Sequence, residues 1–459
     1  MFAKSKDFKS EYCCRVVQIG SILPIEGKDK IGQTLVDGFP VVVRKDQVKE
    51  GDILFYVSNE CQIEDKFLHC NNLYDEKERN ADPEIKGYFN KYGRVRIVKL
   101  GGVPSMGYLF TADELRNAGY KFDIMPAIGG EFDTINSELF VKAFVPPVKE
   151  QPQSQSGLKR RQKRLKKFDR MIPGEFSFHY DTDQLEKNIY RFKPEDIVTL
   201  SVKEHGTSSI YAHIKTRKPK WGGLYAKYYM YLPKCLQKTT EEWSYIYSSR
   251  TVIKNKDINK KVTDGFYGSD VWAMYNDIIQ KYDLLDKGMT IYGEIVGYTQ
   301  SGSAIQKLGA AYDYGCKQGE SKLMVYRITT HHDDKKYEWN VMDVLGWTLQ
   351  AIKSHPELKD VLYPIPVLYH GPFKDLYPDI STDQHWHENV LARLKEDKNF
   401  FMEMDEPLCK NKVPREGIVI RKDDDILAEA FKLKTMKFRF GEAKAVDAGQ
   451  VDIEMEQAY

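Results

Sequence analysis

The sequence predicts an α+β protein in two parts, a small β-barrel followed by a mixed α/β domain. Three observations carry this. Residues 11–145 fall into β-favouring runs of five or six residues separated by Gly, Pro and Asp. From Phe176 onward, such runs alternate with stretches of helical spacing over about 280 residues. Between the two lies P-P-V-K-E-Q-P-Q-S-Q-S-G, a segment of linker composition. A chain of 459 residues is long enough for two or three domains, each with its own core.

In the first part, strands are expected at Arg15–Ile19, Phe39–Arg44, Asp52–Val57, Arg94–Leu100 and Phe140–Val145. The polar stretch from Ile63 to Tyr92 reads as an inserted loop or short helices, and nothing in this part offers a catalytic set. Residues 148–174 form the boundary. Within it L-K-R-R-Q-K-R-L-K-K-F-D-R carries eight basic residues (Lys159, Arg160, Arg161, Lys163, Arg164, Lys166, Lys167 and Arg170) and one acid. The whole chain balances 69 Lys and Arg against 67 Asp and Glu, so net charge points to no partner. Such local clustering favours a phosphate-binding arm over a solvated tether. In the second part, helices are expected at Trp272–Tyr282, within Lys335–Ile352 as a buried helix, and at Trp386–Lys395. Strands are expected at Thr290–Val296, Leu323–Ile328 and Gly417–Arg421.

Several classes are disfavoured. The seven cysteines are odd in number and contain no C-x-x-C pair, which suits a reduced cytoplasmic protein. Cys61, His69 and Cys70 lack an obvious fourth zinc ligand, so ordinary thiols are expected there. No apolar run approaches the roughly 20 residues of a membrane span, and the N-terminus has no apolar segment of a secretory signal. The pairs His331-His332 and His385/His387 are expected at the surface.

The chemistry gathers around T-L-S-V-K-E-H-G-T-S-S, residues 199–209. A β-favouring run delivers Lys203 to a turn rich in small donors, which suits a lysine nucleophile beside a phosphate. Alone, K-x-H-G is a weak signal. Four segments follow in order: S-S-R ending at Arg250, Y-G-E-I-V-G around Glu294, E-G-I-V-I-R opened by Glu416, and K-L-K with Lys432 and Lys434. Residues two apart on a strand share a face, so both lysines can enter one pocket. Each segment by itself also fits an ordinary strand or turn. Their order makes coincidence a poor account. From 215 to 238 a further stretch carries seven basic residues and no acid, interleaved with Trp221, Tyr225, Tyr228, Tyr229 and Tyr231. Cations that track phosphates and rings that stack on bases would bind nucleic acid, and an insertion packed on its own domain is the equal alternative.

The series K-E-H-G, S-S-R, Y-G-E-I-V-G, V-Y-R-I, E-G-I-V-I-R and K-L-K resembles the ordered motifs of the covalent nucleotidyltransferase superfamily. His205, where DNA ligases and capping enzymes usually carry Asp, looks like the ATP-dependent RNA ligase branch. V-V-V-R-K-D-Q-V-K-E-G-D-I-L-F-Y-V and R-V-R-I-V-K-L-G-G-V-P-S-M-G-Y-L-F resemble the N-terminal OB-like domain of one group of nick-sealing RNA ligases. The 25 residues after Lys434 are too few for the C-terminal barrel of a DNA ligase. The resemblance implies an OB-like β-module at 1–147, a linker at 148–174 and an adenylation domain of ATP-grasp-like ligase type at 175–459.

It implies, further, an RNA ligase acting on 3′-OH and 5′-phosphate ends in RNA repair, in which Lys203 is adenylylated by ATP. The RNA could be a nicked duplex, and a cytoplasmic monomer with no membrane partner is expected. Catalytic roles would fall to Lys203, His205, Glu416, Lys432 and Lys434. The nucleotide would meet Lys203, Gly206, Arg250, Glu294, Tyr326, Lys432 and Lys434, with Tyr326 stacked on adenine. Glu416 and Glu294 would hold Mg²⁺ or Mn²⁺. Arg327, after the aromatic, departs from the acid common among related ligases. An ATP-dependent DNA ligase and a non-catalytic RNA-binding protein are the alternatives.

Overall fold

A computed structural model gives the fold and describes residues 1–145, 168–179, 182–255, 270–332, 335–397, 402–423 and 429–448. Most of the basic stretch, residues 159–167, lies outside them. The chain divides into two compact units, Met1–Pro147 and Val148–Tyr459.

The first unit is built from short antiparallel strands. Its largest sheet has four, in the order Tyr108–Phe110, Ile53–Val57, Cys14–Gln18 and Glu131–Phe132. Another sheet has three, Leu23–Ile25, Lys28–Val36 and Phe39–Arg44. Alternation explains why Ile53–Val57 reads as a continuous apolar run. Phe55 and Val57 face one core, while Leu54 and Tyr56 face a second. Among the described residues the strands form separate small sheets and no closed barrel. The polar stretch 63–92 is less peripheral than its composition suggests. It forms a helix at Asp65–Cys70, and Phe67, Leu68, Tyr74 and Phe89 are buried in the main core of the unit. A few buried apolar side chains are enough to anchor a segment that is otherwise charged.

Two large sheets dominate the described part of the second unit, beside a two-stranded one at Lys307–Leu308 and Ala310–Ala311. One runs Asp183–Gln184, Ala430–Lys434, Gly417–Lys422, Ile197–Lys203, Val367–Pro372. The other runs Thr239–Ser248, Thr207–Pro219, Met289–Gly297, Ser321–His332, Lys335–Glu338, with Leu362–Pro364 pairing beside Ser321–His332. Helices Val271–Lys281 and Val341–Ser354 cover the second sheet through Tyr275, Ile279 and Val344. Helix Trp386–Glu396 covers the first through Trp386, Val390 and Leu394. Val341–Ser354 was expected to be enclosed, yet only one face is buried and Met342 and Leu349 are exposed. Its apolar residues extend round the helix beyond the stripe that meets the sheet.

The histidine pairs also depart from a plain surface setting. His331 is a strand residue paired with Lys336, its Nδ1 3.6 Å from Glu175. His387 Nε2 lies 2.8 Å from the Phe192 carbonyl, while His385 is exposed. Among the described residues no disulfide forms, and no three His, Cys, Asp or Glu side chains cluster as metal ligands, Cys61, His69 and Cys70 included. No described helix is long and apolar enough to cross a membrane.

Candidate active site

The tetrapeptide Lys203-Glu204-His205-Gly206 is where the chain leaves one sheet and enters the other. Ile197–Lys203 ends in the first sheet and Thr207–Pro219 begins in the second. A side chain at this crossover can meet groups from both. In the first sheet Lys203 pairs with Gly417, and Gly417 with Lys434, so Glu416 and the Lys434 end of the lysine strand converge on Lys203. Phe431 and Leu433 point into the core, which leaves Lys432 and Lys434 on the opposite face. In the second sheet Ser208 pairs with Glu294.

Two glycines allow this close packing. A Cβ at Gly206 would lie 2.3 Å from the Ile295 carbonyl oxygen, and one at Gly417 would lie 2.0 Å from that of Leu433. Both contacts are with backbone, which cannot move aside as a flexible side chain would.

One cavity results. Lys203, His205, Gly206, Arg250, Glu294, Tyr326, Glu416, Lys432 and Lys434 all line it. Glu416 is its electrostatic centre. Lys203 Nζ lies 2.7 Å from Oε1, Lys434 Nζ 3.5 Å from the same oxygen, and His205 Nδ1 3.3 Å from Oε2. Burial opposes ionisation of this carboxyl, but Lys203, Lys434 and His205 outweigh it and hold the group well below the usual carboxylate range. Lys434 is also held 3.0 Å from Glu442. Burial disfavours its charge, and the two carboxylates more than offset that, raising its pKa.

The turn is fixed from several sides. The Gly206 N–H donates to Glu294 Oε1 at 3.1 Å, and Gln306 Nε2 donates to the Gly206 carbonyl at 2.9 Å. The His205 N–H donates to the Tyr314 hydroxyl at 2.7 Å. The His205 ring stands edge-on to Tyr312 and Phe438, with centroids 4.8 Å away in each case.

Tyr326 reaches the cavity through a β-bulge. Tyr292 pairs with Arg327 and Gly293 with Val325, so Tyr326 is the extra residue. A bulge re-aims the side chain it carries. Arg327, which replaces an expected acid, is turned to another task. Its guanidinium is clamped by Glu338 at 2.6 and 2.8 Å and lies 4.3 Å from the Tyr292 ring centroid.

The sequence motifs missed His179, Thr182, Gln306 and Glu442, which line the same cavity. His179 Nδ1 is 3.3 Å from the Tyr326 hydroxyl. Shelter from water, then the charges of Arg250, Arg327, Lys203 and Lys432, push its pKa down to about 3. A neutral imidazole thus sits among cations.

The family model for RNA ligase matches residues 196–439, which take in every residue of the crossover, the second sheet and all of the first but its edge strand Asp183–Gln184. The chain belongs to the RNA ligase family. No curated protein matches the sequence. Among solved structures this RNA ligase is similar to a mutant of Naegleria gruberi RNA ligase with ATP and Mn, at 17% identity and a TM-score of 0.52, over 93% of this chain and 98% of that one. The same protein with PPi is similar at 16% identity and 0.51, over 95% and 98%. A mutant with AMP and Mn matches at 16% and 0.51, over 93% and 97%. At such identity the likeness is one of fold.

Proposed function

We propose that this RNA ligase is ATP-dependent and joins a 3′-hydroxyl to a 5′-phosphate through a lysyl-AMP intermediate on Lys203, in RNA repair. The observation that carries the proposal is the placement of one lysine amine 2.7 Å from a buried carboxylate, with two more lysines and an arginine lining the same cavity. A cluster of that kind suits a polyphosphate beside a nucleophile.

Three steps follow. The Lys203 amine loses a proton and attacks the α-phosphorus of ATP. The Nζ–P bond forms, the bond to the β-phosphate oxygen breaks, and pyrophosphate leaves. A 5′-phosphate oxygen then attacks the same phosphorus, the Nζ–P bond breaks, Nζ takes up a proton again, and AMP passes to the RNA end. Finally a 3′-hydroxyl attacks the 5′-phosphorus, loses its proton and expels AMP.

A free lysine has a pKa near 10.4, so presenting the neutral amine at pH 7 costs about 4–5 kcal/mol. Glu416 orients Nζ. Lys432 and Lys434 face the phosphate oxygens, where charge gathers in the transition state. Glu294 and Arg250 hold the ribose side, and Tyr326 and His179 wall the base. His205 serves the later steps as a donor on the phosphate side. Glu416 and Glu294 are hard carboxylate donors, and two such groups with a triphosphate fit Mg²⁺ or Mn²⁺ better than a cage made by protein alone. The ion, when bound, would neutralise phosphate charge and favour the uncharged amine.

We place the first unit as an OB-like module, supported by its short antiparallel strands and the likeness in fold along the chain. A cytoplasmic location is proposed, on the seven free cysteines.

Incubation with α-labelled ATP and Mg²⁺ or Mn²⁺ is expected to leave covalent label on the wild type and none on Lys203→Ala. A chase with nicked duplexes, or with free ends, should seal RNA-containing strands with loss of label. No label under either metal would sink the proposal and favour a non-catalytic RNA-binding protein. Preference for all-DNA nicks would favour a DNA ligase.

A further inference from the structure

We infer that the tip of the hairpin formed by Thr207–Pro219 and Thr239–Ser248 docks an unpaired stretch of RNA remote from the reacting ends. The inference rests on the proposed RNA ligase activity and adds a surface to it. From 215 to 238 the chain carries seven basic residues and no acid; Arg217 and Lys218, on the strand, meet Asp169 and Glu242, while Lys220, Lys227, Lys234 and Lys238 belong to the tip. It is also built to hold rings outward. Phe168, Tyr229, Tyr225 and Trp221 form a chain of edge-on contacts at 4.9, 5.7 and 4.8 Å. Tyr229 is buried. The Tyr225 hydroxyl donates to the Leu236 carbonyl at 2.6 Å and accepts from the Lys238 N–H at 2.7 Å, which closes the loop. On this support Trp221, Tyr228 and Tyr231 remain 52%, 50% and 56% exposed. Lys220 lies 5.4 Å from the Trp221 ring centroid, and Lys227 5.5 Å from that of Tyr228.

An exposed ring with an ammonium beside it matches the alternation of base and phosphate along a single strand. A duplex hides its base faces, so it would use the lysines and leave the rings idle. Thr207 pairs with Ile295 beside the cavity, while Pro219 pairs with Thr239 at the far end. That strand is 13 residues long, which at ~3.3 Å per residue separates the tip from the site by up to about 40 Å.

The test measures fluorescence anisotropy of 5′-phosphorylated oligoribonucleotides, unpaired and of 8 or 20 nucleotides, together with a blunt 20-base-pair RNA duplex, against the full chain. The triple variant Trp221→Ala, Tyr228→Ala, Tyr231→Ala is expected to bind the unpaired 20-mer at least tenfold more weakly. Binding of the 8-mer, which the tip can hold by itself, should weaken as well, binding of the duplex should change less than about twofold, and label uptake from ATP should match the wild type. The triple Phe variant is expected to retain affinity for the 20-mer, which separates ring stacking from a folding defect. Unchanged affinity of the Ala variant for the unpaired 20-mer would overturn the inference, as would an equal loss for the duplex. Failure of the wild type to take up label would count against the ligase proposal alone, because the binding measurements need no ATP.

Discussion

His179 shows how one side chain can be fixed by its charged neighbours. It lies in the cavity beside Tyr326, and its low pKa keeps it neutral throughout the working range. A neutral ring can approach a base that the surrounding cations would not select. His179→Ala is expected to raise the KM for ATP in the adenylylation step about tenfold, equal to ~1.4 kcal/mol of lost binding, with little change in the rate at saturation. Glu204, next to the proposed nucleophile, behaves differently. Burial and then the charge of Glu406 push its carboxyl up to about 8. The folded state therefore holds a proton there that the unfolded chain releases near pH 4.5. The associated stability is fully present below that pH, falls by up to about 1.4 kcal/mol per pH unit above it, and is gone once pH passes about 8. Thermal melts of the wild type from pH 5 to 9 should show this decline, and Glu204→Gln should flatten it. A variant with the wild-type slope would show that Glu204 is not the group responsible.

The helix Met436–Asp447 follows the paired lysines directly, and one residue joins the two elements. The Thr435 hydroxyl accepts from the Phe438 N–H at 3.1 Å and donates to the Arg415 carbonyl at 2.7 Å. It thus caps the helix and ties it to the residue before Glu416. Thr435→Ala is expected to cost about 1–2 kcal/mol, read as a lower melting temperature, and to slow adenylylation because Lys434 and Glu442 lie on either side of the cap. Valine, which keeps the shape but not the hydroxyl, should behave like alanine. Much at this scale was legible in the sequence. The period of two on K-L-K put both lysines on one face, and the strand end at Lys203 and the strand start at Gly417, beside Glu416, fell where the motifs did. What stayed hidden had no local pattern to show it. Glu442 sits on a helix, His179 and Gln306 in irregular chain, and each reaches the cavity only through tertiary packing. The aromatics of 215–238 read equally as an insertion or a nucleic-acid face, because spacing does not tell Tyr229, buried against Phe168, from Tyr228 exposed beside it. Likewise Ile63–Tyr92 looked peripheral, since a few buried residues among many charges leave no period.

At the scale of the whole molecule, every residue assigned to the adenylylation step lies in one of the two compact units, Val148–Tyr459. That unit has its own cores on both sheets, built from residues such as Ile291, Val325 and Ile328 on one and Leu200, Ile418 and Phe431 on the other. A unit with its own core can fold as an independent domain. The proposed first step needs only ATP and Lys203, whereas the proposed later steps must also hold two RNA ends. Residues 148–459 expressed alone are therefore expected to take up label from α-labelled ATP at a rate within about tenfold of the full chain, since no side chain of the step is lost. Sealing of nicked RNA by the same fragment should fall much further, with the defect in RNA binding and not in label uptake. Single-turnover assays that follow label uptake and strand joining separately distinguish these outcomes. A folded fragment that takes up no label would place part of the adenylylation machinery in Met1–Pro147, and a fragment that seals as well as the full chain would remove the first unit from substrate recognition.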